Sequence, residues 1–402
     1  MNIGFLIDSL PPINRPSANR GVSFIKELIK SHTVFVFSYS NFSEYDSSVR
    51  YHFSGEELKK IKSIQINKPK NVKYLAALQF LMRFSILDTV TRRYLKTISR
   101  VHGTNRLDLL IISIGPVERA KVGYRINNKL GIPWVLDYRD EWTSQGSQLY
   151  AKNSLLTRLN SLINREVYLE RKYTKNIKCF TTVFEDGLMN IQTHIGKKGF
   201  LIENGYFLKN YNSVIKPNNR SVLKIAYLGT FYDSQLIPES LLILNSLLKL
   251  WGINIKVHFI GTNQTIYKTK FGTIFNELGN IEFSILPKVP LETIYRDLPE
   301  YDALIHSEHF DQINVPSSKL YDYIALGLPV LLLKSYGGFM TTTLRRTRQL
   351  ILLSETEFLQ DFLTSFESRT RFMQDLDNYA RSEYSREKQM EKMNEVIKFS
   401  LH

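Results

Sequence analysis

The stretch VPSSKLYDYIALGLPVLLL, residues 315–333, holds a lysine and an aspartate three residues apart, Lys319 and Asp322. On a helix that spacing puts both on one face. The local punctuation predicts such a helix: Pro316, Ser317 and Ser318 suit its start, Gly327 suits a left-handed stop, and Pro329 bars continuation into a buried strand beginning at Val330. The first amides of a helix have no internal partner, so a cation and an acid beside them suit an anion with hydroxyls nearby. A solvated ion pair on an ordinary helix has the same spacing, and the fragment alone leaves both readings open.

Three other clusters could do chemistry. In DYRDEW, Asp137, Arg139 and Asp140 follow a strand-like run; they read either as acid and cation at a strand end or as a structural Asp–Arg pair packed on Trp142. In HSEHFD, His306 and His309 stand near Glu308 and Asp311. That group is short of metal-site spacing, so no metal is expected and His306 is read as lining a pocket or capping a loop. The single cysteine, Cys179, lies in the apolar run IKCFTTVF, which reads as a small buried hydrophobe and excludes an intrachain disulfide.

These groups need a scaffold, and the chain is long enough for two cores. At 402 residues it exceeds one ordinary domain, and 43% hydrophobic with 23% charged residues describes a globular protein rather than a disordered or membrane-embedded one. The opening MNIGFLID lacks a basic leader, and the apolar run at 74–87 is too short to span a bilayer and contains Arg83. A cytoplasmic protein is expected. The net charge of +15 is one-sided: residues 1–212 hold 32 Lys and Arg against 17 Asp and Glu, whereas residues 213–402 hold 21 of each. Residues 56–106 carry 12 basic and 3 acidic side chains among aromatics. Such a face suits an anionic membrane surface, or serves only for solvation.

Strand-length apolar runs alternate with helix-length segments nearly end to end, which predicts parallel sheets covered on both faces. The series runs from IGFLID through TVFVFSY, LDLLIISI, PWVLDYR and IKCFTTV, and restarts at LKIAYLGTF after the polar KNYNSVIKPNNRS. The fold class is α/β, with two tandem Rossmann-like domains, 1–210 and 211–385, and a final helix, 386–402, crossing back to the first. Ligands of such folds gather at strand carboxyl ends. That places Asn19, Arg20 and Gly21 of PPINRPSANRG in a loop of the first domain and Gly229 and Thr230 of YLGTFY in one of the second, facing each other across a cleft.

In this order the pieces PPINRPSANRG, DYRDEW, ENGYF, YLGTFY and PSSKLYDYIALGLPV resemble the GT-B glycosyltransferases, in particular the retaining family 4 type, over nearly the whole chain. The resemblance implies a nucleotide-sugar donor site. Asp322 stands where the family has a glutamate that hydrogen-bonds both ribose hydroxyls; Ser317, Ser318 and Lys319 would meet the diphosphate at the helix start; and Gly229 would let its loop approach the phosphates, or is only a turn glycine. Asn314 occupies the place of the family's other acid, and the loop after Gly229 lacks the usual basic residues, leaving phosphate charge to Lys319 and to Arg139 or Arg20.

The implied activity is transfer of a sugar to a saccharide or lipid-linked saccharide, retaining and without metal or other cofactor, in surface polysaccharide or glycoconjugate synthesis. Asp137, Arg139 and Asp140 would act at the donor sugar or the acceptor, and the basic domain on the cytoplasmic face of a membrane. Two rivals stand beside this reading. A nucleotide-sugar 2-epimerase shares the fold and needs no acceptor. A polyanion binder accounts for the basic half but lacks a basic-aromatic nucleic-acid motif, so no nucleic acid is expected.

Overall fold

The computed structural model describes residues 1–401 except 8–9, 12–15, 40–45, 67–84, 115–117, 140, 143–159, 213–216, 231–232, 263–273, 290 and 312. Its chain forms two compact units, one of residues 1–203 with 389–402 and one of residues 204–388. The first holds a seven-stranded sheet in the order β3-β2-β1-β4-β5-β6-β7, built from β1 (Asn2–Leu6), β2 (Thr33–Ser38), β3 (Ile61–Gln65), β4 (Leu109–Ile114), β5 (Trp134–Tyr138), β6 (Cys179–Thr182) and β7 (Gly199–Leu201). Every pairing is parallel. The reversal of order lies between β1 and β4, as in doubly wound dinucleotide-type sheets.

The second unit repeats the plan with six strands, β10-β9-β8-β11-β12-β13, from β8 (Leu223–Leu228), β9 (Ile255–Ile260), β10 (Ile281–Leu286), β11 (Ala303–His306), β12 (Val330–Leu332) and β13 (Leu350–Leu352). These too are all parallel. Strand β8 shows why the sheet is covered twice. Leu223, Ile225 and Tyr227 pack into one apolar cluster with Leu241, Leu244 and Leu248, while Ala226 and Leu228 face another with Leu320, Ile324 and Leu304. Side chains alternate along a strand, so an apolar run on both faces requires helices on both sides.

The boundaries differ from the sequence expectation of 210 and 385, for a physical reason. The turn residues Asn204 and Gly205 and the following chain do not trail as a linker but anchor in the second unit. Tyr206 donates its N–H to the Tyr384 carbonyl at 3.1 Å and accepts from Arg386 N at 2.7 Å. Gly205 has φ +89, and a Cβ there would lie 2.5 Å from the Tyr384 carbonyl oxygen. Two chain segments therefore run side by side, closer than any other residue allows. The final helix, Met393–Leu401, packs on β6 of the first unit, with Met393, Val396 and Ile397 buried and Ser400 against Cys179 at 3.3 Å. Cys179 is fully buried, and burial raises its thiol pKa to about 11, leaving it unreactive.

Candidate functional site

The punctuation read from the sequence forms a helix at Ser318–Leu326 in the second unit. Ser317 caps it, accepting from the Lys319 amide at 3.3 Å, and Gly327 stops it at φ +69, donating to the Tyr323 carbonyl at 3.1 Å. Buried Leu320, Ile324 and Ala325 seat one face on the sheet. The carboxyl end is held by two distant side chains. Arg381 donates to the carbonyls of Ile324 at 3.0 Å and Ala325 at 3.2 Å, and Gln349 to those of Tyr323 at 2.9 Å and Leu328 at 3.0 Å. Those of Ile324 and Ala325 are carbonyls of the last turn, which a helix leaves without an internal partner.

Lys319 points toward the loop after β8. Its Nζ donates to the Tyr227 hydroxyl at 2.9 Å and the Thr230 carbonyl at 3.0 Å, and lies 4.6 Å from the centre of the Tyr227 ring. Gly229 makes this approach possible: it has φ +89, and a Cβ there would stand 2.6 Å from Lys319 Cε. Enclosure of the amine away from water brings its pKa down to about 7. Asp322, on the same face, accepts from the Tyr295 hydroxyl at 2.5 Å. Desolvation raises its pKa to about 6, against the opposing influence of Tyr295 and Arg386. A lysine and an acid whose pKa values burial has moved toward neutrality thus share one helix, the lysine reaching the end of β8 where strand order reverses between β8 and β11, the place at which such sheets bind ligands.

Around this pair the other expected donor residues take different places. Asn314 and Ser318 are exposed, and Thr230 offers its carbonyl rather than its hydroxyl to Lys319. His306 does not line an open surface. It is 1% exposed, packed between the rings of Tyr227 and Tyr323 at 5.5 and 5.6 Å, and burial holds its pKa well below the usual imidazole value, so the ring is neutral. The HSEHFD group is structural as well. Glu308 accepts from the amides of Tyr336 at 2.6 Å, Gly338 at 3.3 Å and Thr341 at 2.8 Å, and His309 bonds Ser234 at 2.7 Å. Among the described residues no group of three or more His, Cys, Asp or Glu side chains could hold a metal ion.

In the first unit the structure corrects the expectation for PPINRPSANRG. Asn19, Arg20 and Gly21 lie inside a helix, Pro16–Leu28, not in a loop. A Cβ on Gly21 would be 2.2 Å from Ile7 Cδ1, so the glycine serves helix-to-strand packing. Arg20 is 1% exposed and binds Asp137 at 2.6 Å, with further bonds to the carbonyls of Ile202 at 2.9 Å and Glu203 at 3.4 Å. Both oxygens of Asp137 are engaged, by Arg20, by Ser113 at 2.8 Å and by Thr181 at 2.7 Å. Burial alone would raise its pKa, but these partners hold the carboxyl below the ordinary range. A fully buried, fully bonded carboxylate tethers β5 to its neighbours; it does not reach a substrate, and Arg20 has no charge to spare for a phosphate.

Arg139, just past β5, is half-buried, and its charge together with burial brings the enclosed Arg119 down to about 9. Asp140 and most of the 74–87 segment lie outside the described residues. The groups that sequence reading missed are Tyr227, Tyr295, Arg381 and Gln349. The first two read as apolar residues of a strand and a helix, and the last two carry no local signal.

No protein-family model matches the sequence, and no curated protein matches it. Solved structures are similar over nearly the whole chain. WaaG, a glycosyltransferase involved in lipopolysaccharide biosynthesis, is 14% identical at a TM-score of 0.59, covering 98% of this chain and 99% of its own. Anabaena HepE, solved in complex with UDP-glucose, is 12% identical at 0.60, covering 99% of both. A putative UDP-N-acetylglucosamine 2-epimerase from Listeria monocytogenes is 11% identical at 0.55, covering 99% of this chain and 95% of its own. At these identities the likeness is one of architecture: the chain has the GT-B fold, two Rossmann-like units in tandem.

Proposed function

We propose that the protein is a glycosyltransferase that takes a sugar from a nucleotide-sugar donor held by the second unit and passes it to a saccharide or lipid-linked saccharide. The observation that carries the reading is Lys319 set against the Gly229 loop at the end of β8, with Asp322 three residues further along the same helix, whose start is capped and whose end is clamped. Asp322 would accept from the ribose hydroxyls, and Lys319 with the helix start would face the diphosphate. Departure of that diphosphate is the demanding event, because it gains charge as the sugar carbon becomes cationic; a preorganised ammonium and helix amides stabilise it. A retaining course, with the departing phosphate taking the acceptor proton, needs no protein base. The chemistry as proposed uses no metal or other cofactor, and Arg139 and Asp140 stand as the first unit's contacts to sugar or acceptor.

The setting proposed is the cytoplasm, with the acceptor drawn from an anionic membrane surface by the basic first unit, in polysaccharide or glycoconjugate synthesis. No helix among the described residues is long and apolar enough to cross a membrane. On the helix Ser85–Asn105, Arg92, Lys96 and Arg100 form one exposed stripe, as their four-residue spacing dictates. A panel of nucleotide sugars tested for binding and slow hydrolysis, with wild type beside Asp322→Ala, checks the reading. One donor that binds and turns over, with affinity reduced but still measurable in the variant, is expected; no binding of any nucleotide would sink it. Epimerases share the fold, and interconversion of two nucleotide sugars without acceptor or nucleotide release would favour that second reading.

A further inference from the structure

We infer that Tyr295 is a positioning residue for Asp322, holding the carboxylate oriented to accept from the ribose diol of a bound nucleotide. The inference rests on the donor-site reading above and adds a residue that reading does not use. Tyr295 belongs to the helix Leu291–Asp297, outside the helix that carries Asp322, and donates its hydroxyl to Asp322 Oδ1 at 2.5 Å. Its phenol is desolvated and lies against a carboxylate, both of which push its pKa well above the ordinary value. It therefore stays a donor at any pH at which the site works.

The groups facing the carboxylate can be named. Arg386, from the segment beside Tyr206, acts on both Tyr295 and Asp322, and the Asn210 amide stands beside the phenol. Tyr323, the next residue on the helix, turns away: its hydroxyl accepts from Leu228 N at 3.2 Å and donates to the Ile305 carbonyl at 3.3 Å. A carboxylate turns about its Cβ–Cγ bond unless something fixes the plane, and a diol needs both oxygens presented together. Each oxygen has two lone pairs, so Oδ1 can keep Tyr295 and still accept a ribose hydroxyl. The same bond opposes the desolvation that would neutralise the acid.

Tyr295→Phe keeps the ring and removes the donor. UDP, ADP and GDP serve as probes in calorimetric titrations across pH, with the 2′-deoxy form of whichever binds. The expected results are a loss of roughly tenfold in affinity at neutral pH, an acid limb of the affinity profile moved to higher pH, and a smaller preference for ribose over deoxyribose. The same change made in an Asp322→Ala background should then do almost nothing, because the tyrosine acts through the carboxylate. An equal loss in both backgrounds, or wild-type affinity with an unmoved acid limb, would show that Tyr295 only packs, and would leave the donor reading standing. Failure of the wild type to bind any of the three nucleotides would overturn both.

Discussion

At the scale of single residues, the site is governed by two pKa values that burial has brought toward each other. Asp322 accepts from both hydroxyls of a diol at once only when ionised, because protonation turns one oxygen into a donor, so nucleotide affinity should fall as pH drops through about 6. Lys319 attracts a diphosphate only when protonated, and its free-site pKa of about 7 means that binding must draw a proton onto it above that pH. The prediction is a bell-shaped affinity profile with proton uptake on its alkaline side. Titrations in buffers of different ionisation enthalpy measure that uptake, and a buffer-independent enthalpy at pH 8 would contradict it. Gly229→Ala is a second test. The side chain would meet Lys319 Cε at 2.6 Å from a backbone at φ +89. A stability loss of about 1–2 kcal/mol should accompany loss of nucleotide binding, whereas a turn glycine with no part in the site would show only the first.

At the scale of elements, the helix Ser318–Leu326 is short, and nine residues are too few to hold themselves in water. Packing of Leu320, Ile324 and Ala325 and the clamps at its end do that instead. Arg381 is 0% exposed and spends its guanidinium on three carbonyls, those of Ile324, Ala325 and Asn212, and on the Asn378 side chain. Arg381→Ala should cost about 2–3 kcal/mol in urea unfolding by removing the donors to the Ile324 and Asn212 carbonyls, the Ala325 carbonyl keeping the Asn212 amide, and should weaken nucleotide binding although the residue makes no bond to Lys319 or Asp322. A neutral result in both assays would mean that the helix does not depend on the clamp.

At the scale of the whole molecule, each unit is tied together by a buried group that chain order separates. In the first, Arg20 and Asp137 stand 117 residues apart and join the helix Pro16–Leu28 to β5. Removing one partner leaves the other charged, buried and alone, so Asp137→Ala should destabilise by about 3–5 kcal/mol, read as a lowered midpoint in denaturant. The double change Arg20→Met with Asp137→Leu should cost less than the single one. Asp137 has a folded pKa held below its unfolded value, so its contribution is full above about pH 4 and is lost as pH falls through the folded value. The acid limb of wild-type stability should therefore be blunted in the double variant.

What the sequence by itself determined was local or periodic. Continuous apolar runs at strand length specified parallel sheets covered on both faces, and the restart at LKIAYLGTF specified the second unit. Serine, glycine and proline at fixed offsets specified the helix Ser318–Leu326, and three-residue spacing put Lys319 and Asp322 on one face of it. What only the tertiary structure decided was which polar groups meet. No spacing rule joins Arg20 to Asp137, Tyr295 to Asp322 or Arg381 to the end of a helix 55 residues before it, because those contacts depend on how sheets stack their covering helices. Burial was equally hidden. A histidine in HSEHFD and an arginine in PSANRG look the same in sequence whether they face solvent or a core, and it is the loss of water around them that sets their charge and hence their role.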